Sequence, residues 1–426
     1  MHRFIYSVVF YLALPLILIR ILTRSLKAPA YRKRIGERFA LQATPQGFDK
    51  NKLTLWIHAV SVGEAAASAP LVAELQRLYP EAQIVMTTMT PTGSDRARLL
   101  FGESVIHAYV PYDLPGSCNR FLDIYQPSLL VLMETELWPN LIHSCHQRAV
   151  KLLLANGRLS EKSAIGYGRF ATFTRSLLEK IDRIAAQAMP DAQRFIALGA
   201  NPERVEVTGS LKFLVAVSEI EDKAYFTAIG KIQRPVLVAA STREGEEGKI
   251  LAAFRNCLVK IPSLILILVP RHPERFAEAG RLSEDEGFTS VKRSDDGIVE
   301  PNTQVVIGDS MGEMLHYYNV ATIAFVGGSL VDTGCQNVLE PAALGIPILV
   351  GPSQYNFATI CKQLERAGAL KTVKNEMELA ESICTLMVDE QTRMEMGERG
   401  KQLVSENQNA LPALMEIVAP LIRQLE

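Results

Sequence analysis

The chain has 426 residues, of which 48% are hydrophobic and 21% charged. That is close to the globular average and excludes extensive disorder and a polytopic membrane protein. The formal net charge is −1, and nothing in that total calls for nucleic acid. The total hides a split, because residues 1–40 carry eight Lys/Arg against the single acid Glu37 and the rest of the chain is acidic. Six scattered cysteines without a C-x-x-C pair suit a reducing compartment. His143-Ser144-Cys145-His146 is the one cluster of metal-ligand types, but it lacks a fourth ligand, so no metal is expected.

In chain order, Phe4 to Ile19 is uncharged, and Pro15 predicts a kink. The cations Arg20, Arg24, Lys27, Arg32, Lys33, Arg34 and Arg38 follow. A cleaved signal segment is one reading, with Ala28-Pro29-Ala30 as the small-residue site, although three cations precede that site. A buried core helix is a second. A membrane anchor or monotopic helix over residues 1–26 is favoured, and its basic flank places the following chain on the cytoplasmic side.

The rest alternates apolar strands with helical stretches, which predicts parallel βαβ units. The first half has strands near 53–60, 82–88, 105–110, 128–133, 152–155, 183–187 and 205–207. Helices are expected over 65–78, 90–101, 138–146 and 167–180. The second half has strands at 236–240, 264–269, 290–292, 305–307, 322–326 and 346–350. Its helices are expected at 246–257, 273–286, 311–318 and 338–344, with everything after Asn375 helical. This gives two α/β domains, 27–215 and 235–400, an irregular linker at 216–234 and a closing helix over 401–426.

In parallel sheets, ligands meet the loops after the carboxyl ends of strands. Several of those loops carry Gly, Ser/Thr and cations. Ser61-x-x-Glu64 and Ser310-x-x-Glu313 both match a capping box, so a purely structural role is open for each. Helix N-termini together with Arg243, Arg271 and Lys212 point to a phosphorylated ligand. There is no Gly-x-Gly-x-x-Gly, Walker or Asp-x-Asp motif.

Taken in order, seven segments resemble the 3-deoxy-D-manno-octulosonic acid (Kdo) transferase family of lipopolysaccharide assembly. They are 61–64 (SVGE), 134–140 (ETELWPN), 209–213 (GSLKF), 270–273 (PRHP), 308–313 (GDSMGE), 327–331 (GGSLV) and 337–343 (NVLEPAA) with Gly351-Pro352. The resemblance implies two Rossmann-like domains facing a cleft, the GT-B glycosyltransferase type, with an N-terminal anchor helix. It implies transfer of Kdo from CMP-Kdo to the lipid A precursor (lipid IVA), with one or more Kdo added in succession. The place implied is the cytoplasmic face of the inner membrane, with the acceptor on the N-terminal domain and the donor on the C-terminal one. No cofactor or metal is implied.

Carried over by position, Glu64 takes the general-base role, kept ionised by the helix dipole. Arg271, His272, Ser310, Met311, Gly312, Asn337 and Glu340 fall where the family contacts CMP-Kdo. Ser241 and Arg243 lie at a phosphate-binding loop, and Gly63, Glu136 and Lys212 line the cleft. The family commonly has His where this chain has Gln336, so Gln336 is given no proton-transfer role. The basic stretch offers Arg32, Lys33, Arg34 and Arg38 to the phosphates of the acceptor lipid, a solvated membrane-facing surface being the alternative.

Two other functions compete. GT-B-like sugar-nucleotide 2-epimerases share the architecture but need no anchor, and a tethered nucleotide-sugar binder would need no base. Acceptor-dependent release of CMP separates the first, and loss of turnover in Glu64→Ala the second.

Overall fold

Leu55, Trp56 and Ile57 of the first apolar run are all fully buried. A strand buried on both faces needs helices above and below it, and that is the parallel arrangement. The computed structural model describes residues 2–27, 29–214, 224–295 and 299–424. The described residues form two compact units. One runs up to Leu214 and takes in the chain again from Asn409; the other holds the residues between.

The first unit is a sheet of seven strands: β1 Thr54–His58, β2 Gln83–Thr88, β3 Ile106–Tyr109, β4 Leu129–Met133, β5 Lys151–Gly157, β6 Arg183–Ala186 and β7 Val205–Val207. Their order is β3-β2-β1-β4-β5-β6-β7, and every pairing is parallel. The second unit repeats the plan with β8 Val236–Thr242, β9 Ile265–Pro270, β10 Ser290–Lys292, β11 Val305–Ile307, β12 Ile323–Val326, β13 Ile348–Val350 and β14 Leu370–Thr372. Its order is β10-β11-β9-β8-β12-β13-β14. The strand order reverses beside β1 and beside β8. The loops after β1 and β4, and after β8 and β12, therefore occupy the switch points where ligands bind in such sheets.

Two register shifts mark functional loops. One lies in β5 between Leu154 and Gly157 and holds Asn156 at φ 55. The other lies in β8 between Ala240 and Thr242 and holds Ser241 at φ 55. Non-glycine residues in this left-handed region are uncommon, and a bulge is one way to re-aim the chain at a strand end.

Several expected boundaries move. The helix expected over 65–78 is two, Val62–Ala67 and Ala69–Leu78, with Pro70 in the first turn of the second. That over 167–180 is Glu161–Gly168 and Ala171–Leu178. The expected linker lies partly outside the described residues. Within its described part, Ala224–Lys231 is a helix whose Phe226 and Ile229 pack with Val236 and Val238 in the second core. The closing helix starts at Ala410 rather than 401, since Glu390–Gln408 is a separate helix. Leu414, Ile417, Val418 and Leu421 of Ala410–Arg423 pack with Leu55, Ile57 and Val131 in the first core, which returns the chain to that unit.

The N-terminal helix runs His2–Lys27, continuous through Pro15. Residues 2–25 are long and apolar enough to cross a membrane, which is weak evidence of membrane association.

Candidate active site

Ser61 caps the helix Val62–Ala67, its Oγ accepting the Glu64 N–H at 3.3 Å. That hydroxyl donates in turn to Glu64 Oε1 at 2.7 Å, while the Val60 N–H donates to Oε2 at 2.7 Å. Each carboxylate oxygen thus uses one lone pair on the cap and keeps another, so capping and base roles coexist in one side chain. Glu64 is only 8% exposed. Burial pushes its pKa up to about 7 against the pull of those two hydrogen bonds, and the like charges of Glu136 and Glu134 add to the rise. Burial therefore acts against the expected pull of the dipole of this six-residue helix. Gly63 is exposed, and an added methyl there would meet only Ser61 Oγ at 3.9 Å.

The loop after β4 brings two more carboxylates. Glu134 follows the strand at φ 59 and pairs with Lys212 from the loop after β7. Asn156 Oδ1 accepts the Leu211 N–H at 3.0 Å and so fixes the turn that carries Lys212. Glu136 accepts from Trp138 Nε1 at 2.7 Å, and burial raises its pKa. Trp138 stands edge-on to His58 at 5.1 Å. His58 is fully buried, which pushes its pKa down to about 3, so it is a neutral ring bonded to Thr87 Oγ1 at 3.0 Å. The structure thus groups Glu64, Glu136 and Lys212, and adds Glu134, Trp138 and Asn156, which sequence reasoning had not singled out. Glu134 and Trp138 stood in a quoted motif; Asn156 gave no signal.

In the second unit, the loop after β8 places Ser241 and Arg243. Arg243 Nη1 meets His272 Nε2, and its buried Nε has no partner among the described residues. Arg271 is exposed and forms no ion pair among the described residues, although its charge steadies the half-buried Glu340 carboxylate. Asn337 Nδ2 donates to Glu340 Oε1 at 2.9 Å. Ser310 does not cap a helix. Its Oγ donates to Glu313 at 2.5 Å and lies 2.6 Å from the Tyr317 hydroxyl, while the next helix begins at Met314. Glu313 is held instead by Arg293 at 3.1 and 3.2 Å. Met311 and Gly312 protrude, with Gly312 at φ 78.

The Gly327-Gly328-Ser329-Leu330 turn is not a phosphate cradle. Its N–H groups are already used, by Ala240 O at 2.8 Å and by Glu246 at 2.7, 3.0 and 2.8 Å. Glu246 is 0% exposed and is a buried staple between the loops after β8 and β12. Nothing in the charged run Arg243–Glu247 marked it out. Glu247, equally buried, pairs with Arg275 at 3.1 Å. Gly327 is required sterically, since a Cβ would fall 2.7 Å from Ser241 O and Thr242 Cα.

The four basic residues assigned to acceptor phosphates separate. Arg32 and Lys33 are exposed. Arg34 spends its donors inward, on Glu37, on His107 O at 3.1 Å and on Ser94 Oγ at 3.3 Å. Arg38 is 3% exposed and stacks on the Tyr109 ring at 4.4 Å. Its Nε has no partner among the described residues. Arg34 and Arg38 therefore do not form an open surface grip with Arg32 and Lys33. The His143-Cys145-His146 cluster also splits, because Cys145 is buried while His146 is exposed.

The 3-deoxy-D-manno-octulosonic-acid transferase (kdotransferase) family model matches residues 33–215, and the model for glycosyl transferases group 1 matches residues 273–403. A 3-deoxy-D-manno-octulosonic acid transferase of Haemophilus influenzae is 39% identical over 432 residues, covering 100% of both chains. One from Bordetella pertussis is 36% identical and covers 82% of each. Among solved structures, the C-terminal CMP-Kdo binding domain of WaaA from Acinetobacter baumannii is 29% identical, with a TM-score of 0.40, over 42% of this chain and 98% of that one. The UDP-GlcNAc 2-epimerase from Neisseria meningitidis is 13% identical, with a TM-score of 0.49, over 87% of this chain and 100% of that one. With two Rossmann-like sheets and a full-length relative at this identity, the chain belongs to the Kdo transferase family, glycosyltransferases of lipopolysaccharide biosynthesis.

Proposed function

We propose that the chain is an inverting glycosyltransferase that moves Kdo from CMP-Kdo to a phosphorylated lipid A precursor, with Glu64 as general base. One Glu64 oxygen takes the proton of the acceptor hydroxyl as that oxygen bonds to the anomeric carbon. The bond from that carbon to the CMP phosphate oxygen breaks on the opposite face, and its electron pair leaves with CMP. Val60 N–H and Ser61 Oγ orient the carboxylate during the transfer. Arg243 and Arg271 receive the charge that develops on the leaving phosphate, an electrostatic role in which no metal is assigned. The exposed N-terminal helix and Arg32 and Lys33 support an acceptor presented at the inner membrane, with the catalytic units on its cytoplasmic face.

The observation that carries this reading is Glu64, a carboxylate at a switch point whose pKa of about 7 suits a base working at neutral pH. The test is mass analysis of the product formed from CMP-Kdo and a purified lipid A precursor. Acceptor mass rising by one or more Kdo units supports the reading. Release of CMP without acceptor, or a changed nucleotide sugar with no transfer, sinks it.

A further inference from the structure

The helix His2–Lys27 has two distinct faces. Arg3, Ser7, Phe10, Leu14, Ile17 and Ile21 are buried or half-buried, a stripe repeating every three or four residues along its length. The opposite stripe, from Phe4 through Val8, Leu12, Leu16 and Ile19 to Leu22, is exposed.

The covered stripe is fixed by a polar lock at one end. Arg3 Nη1 and Ser7 Oγ both donate to Asn140 Oδ1, at 3.2 and 3.1 Å. Tyr6 faces the Asp113 carboxylate, and burial beside that charge raises the Tyr6 pKa. Asp113 accepts the N–H groups of Asn140 and Leu141, at 3.1 and 2.7 Å. Asn140 and Asp113 are themselves buried. Phe10 packs near Tyr112 and Tyr6 near Phe173, with ring centroids 6.4 Å apart in both pairs.

A helix that crosses a bilayer as a lone span is surrounded by lipid within the hydrocarbon core. In this one, residues 2–10 are held against its own unit by the lock and by the Phe10 and Tyr6 rings. Were residues 2–10 held outside by the lock, residues 11–25 would extend only about 22 Å, short of a core of about 30 Å.

We propose that the helix lies in the plane of an anionic lipid leaflet, pinned to its α/β unit through residues 3–10, with the Phe4–Leu22 stripe among the acyl chains. The occupant follows from the chemistry. The stripe is apolar, and the exposed cations Arg20, Arg24, Arg32 and Lys33 gather at and beyond its C-terminal end, where they can meet anionic head groups. This deepens the membrane reading above and rests on it.

Five single substitutions test it: Phe4→Cys, Val8→Cys, Leu12→Cys, Leu16→Cys and Ile19→Cys. Each is modified with a nitroxide in the full chain bound to vesicles containing an anionic phospholipid. The native cysteines are all buried, so the label goes to the introduced thiol. Collision rates with oxygen and with a water-soluble nickel chelate give the depth of each position. All five within about 10 Å of one another, and all favouring oxygen, is the expected result. A monotonic depth change across about 20 Å of bilayer would overturn the in-plane arrangement while leaving membrane association standing. Nitroxides favouring the nickel chelate throughout would overturn the membrane reading itself.

Discussion

A carboxylate works as a base near neutrality only when something lifts its proton affinity without removing it from reach. At Glu64 the lift is burial, and the reach is preserved because the cap occupies one lone pair per oxygen. We expect Glu64→Gln to bind CMP-Kdo normally and to lose several powers of ten in turnover, read by CMP release and donor titration. The wild-type kcat/KM should climb with pH through an apparent pKa near 7, a limb absent in the variant. The same shift fixes a stability effect. An acid whose pKa is raised on folding, here from the ordinary carboxylate range to about 7, binds more protons when folded. Its destabilising contribution is therefore absent at low pH, grows as pH rises and is full above about 7, at up to about 3 kcal/mol. Glu64→Gln should raise the melting temperature at pH 8 and leave it nearly unchanged at pH 4. Arg38 makes a second residue-scale prediction. Its guanidinium is almost buried and stacks on the Tyr109 ring, out of reach of an acceptor phosphate. Arg38→Gln should lower the thermal midpoint, at a cost of about 1–2 kcal/mol, and leave KM for the bisphosphorylated acceptor unchanged. A rise in KM confined to that acceptor would instead place the guanidinium at a lipid phosphate.

At the scale of elements, the loops act as pairs. Glu246 joins the loop after β8 to the turn after β12 through three N–H groups of that turn. Its four backbone donors, with Arg243 N at 3.2 Å, compensate a charge that burial alone would not tolerate. Glu246→Gln keeps one acceptor but turns an amide NH2 toward donors. It should cost about 2–4 kcal/mol, seen as a lower thermal midpoint, and should raise the donor KM with little change in kcat. Strand positions were legible from apolar runs because both faces of these sheets are covered. Helices were less so. The helix Pro115–Tyr125 was not among those expected, and Pro115 opens it, since a proline fits the first turn of a helix. Ser310-x-x-Glu313 and Ser61-x-x-Glu64 carry the same spacing, and only the second caps. The difference is that Tyr317 and Arg293 claim the first pair, and such long-range partners leave no local trace. Motif order revealed the family, while Glu246 and Asn156 stayed hidden because their work is to bond backbone groups that lie far along the chain.

For the whole molecule, the net charge of −1 averages two parts with different neighbours. The basic excess of residues 1–40 accompanies the exposed apolar stripe, and the acidic remainder belongs to the two α/β units. The lock at Asn140 and Asp113 adds a structural consequence that the charge pattern does not contain. Removing residues 1–26 should release the protein from membranes, and it should also strip cover from Tyr112, Asn140 and Phe173. Asp113 would keep its bonds from the Asn140 and Leu141 N–H groups, so the domain loses contacts without acquiring an unpaired buried charge. The expected cost is about 1–3 kcal/mol, and the truncated chain should stay folded. Its turnover on detergent-dispersed acceptor should remain within a few-fold of the full chain, because Glu64 and its cap make no bond to the helix. Sedimentation with vesicles, thermal unfolding and CMP release on the same preparation check the three parts separately. A truncated chain that fails to fold would show instead that the covered stripe belongs to the core of the first unit.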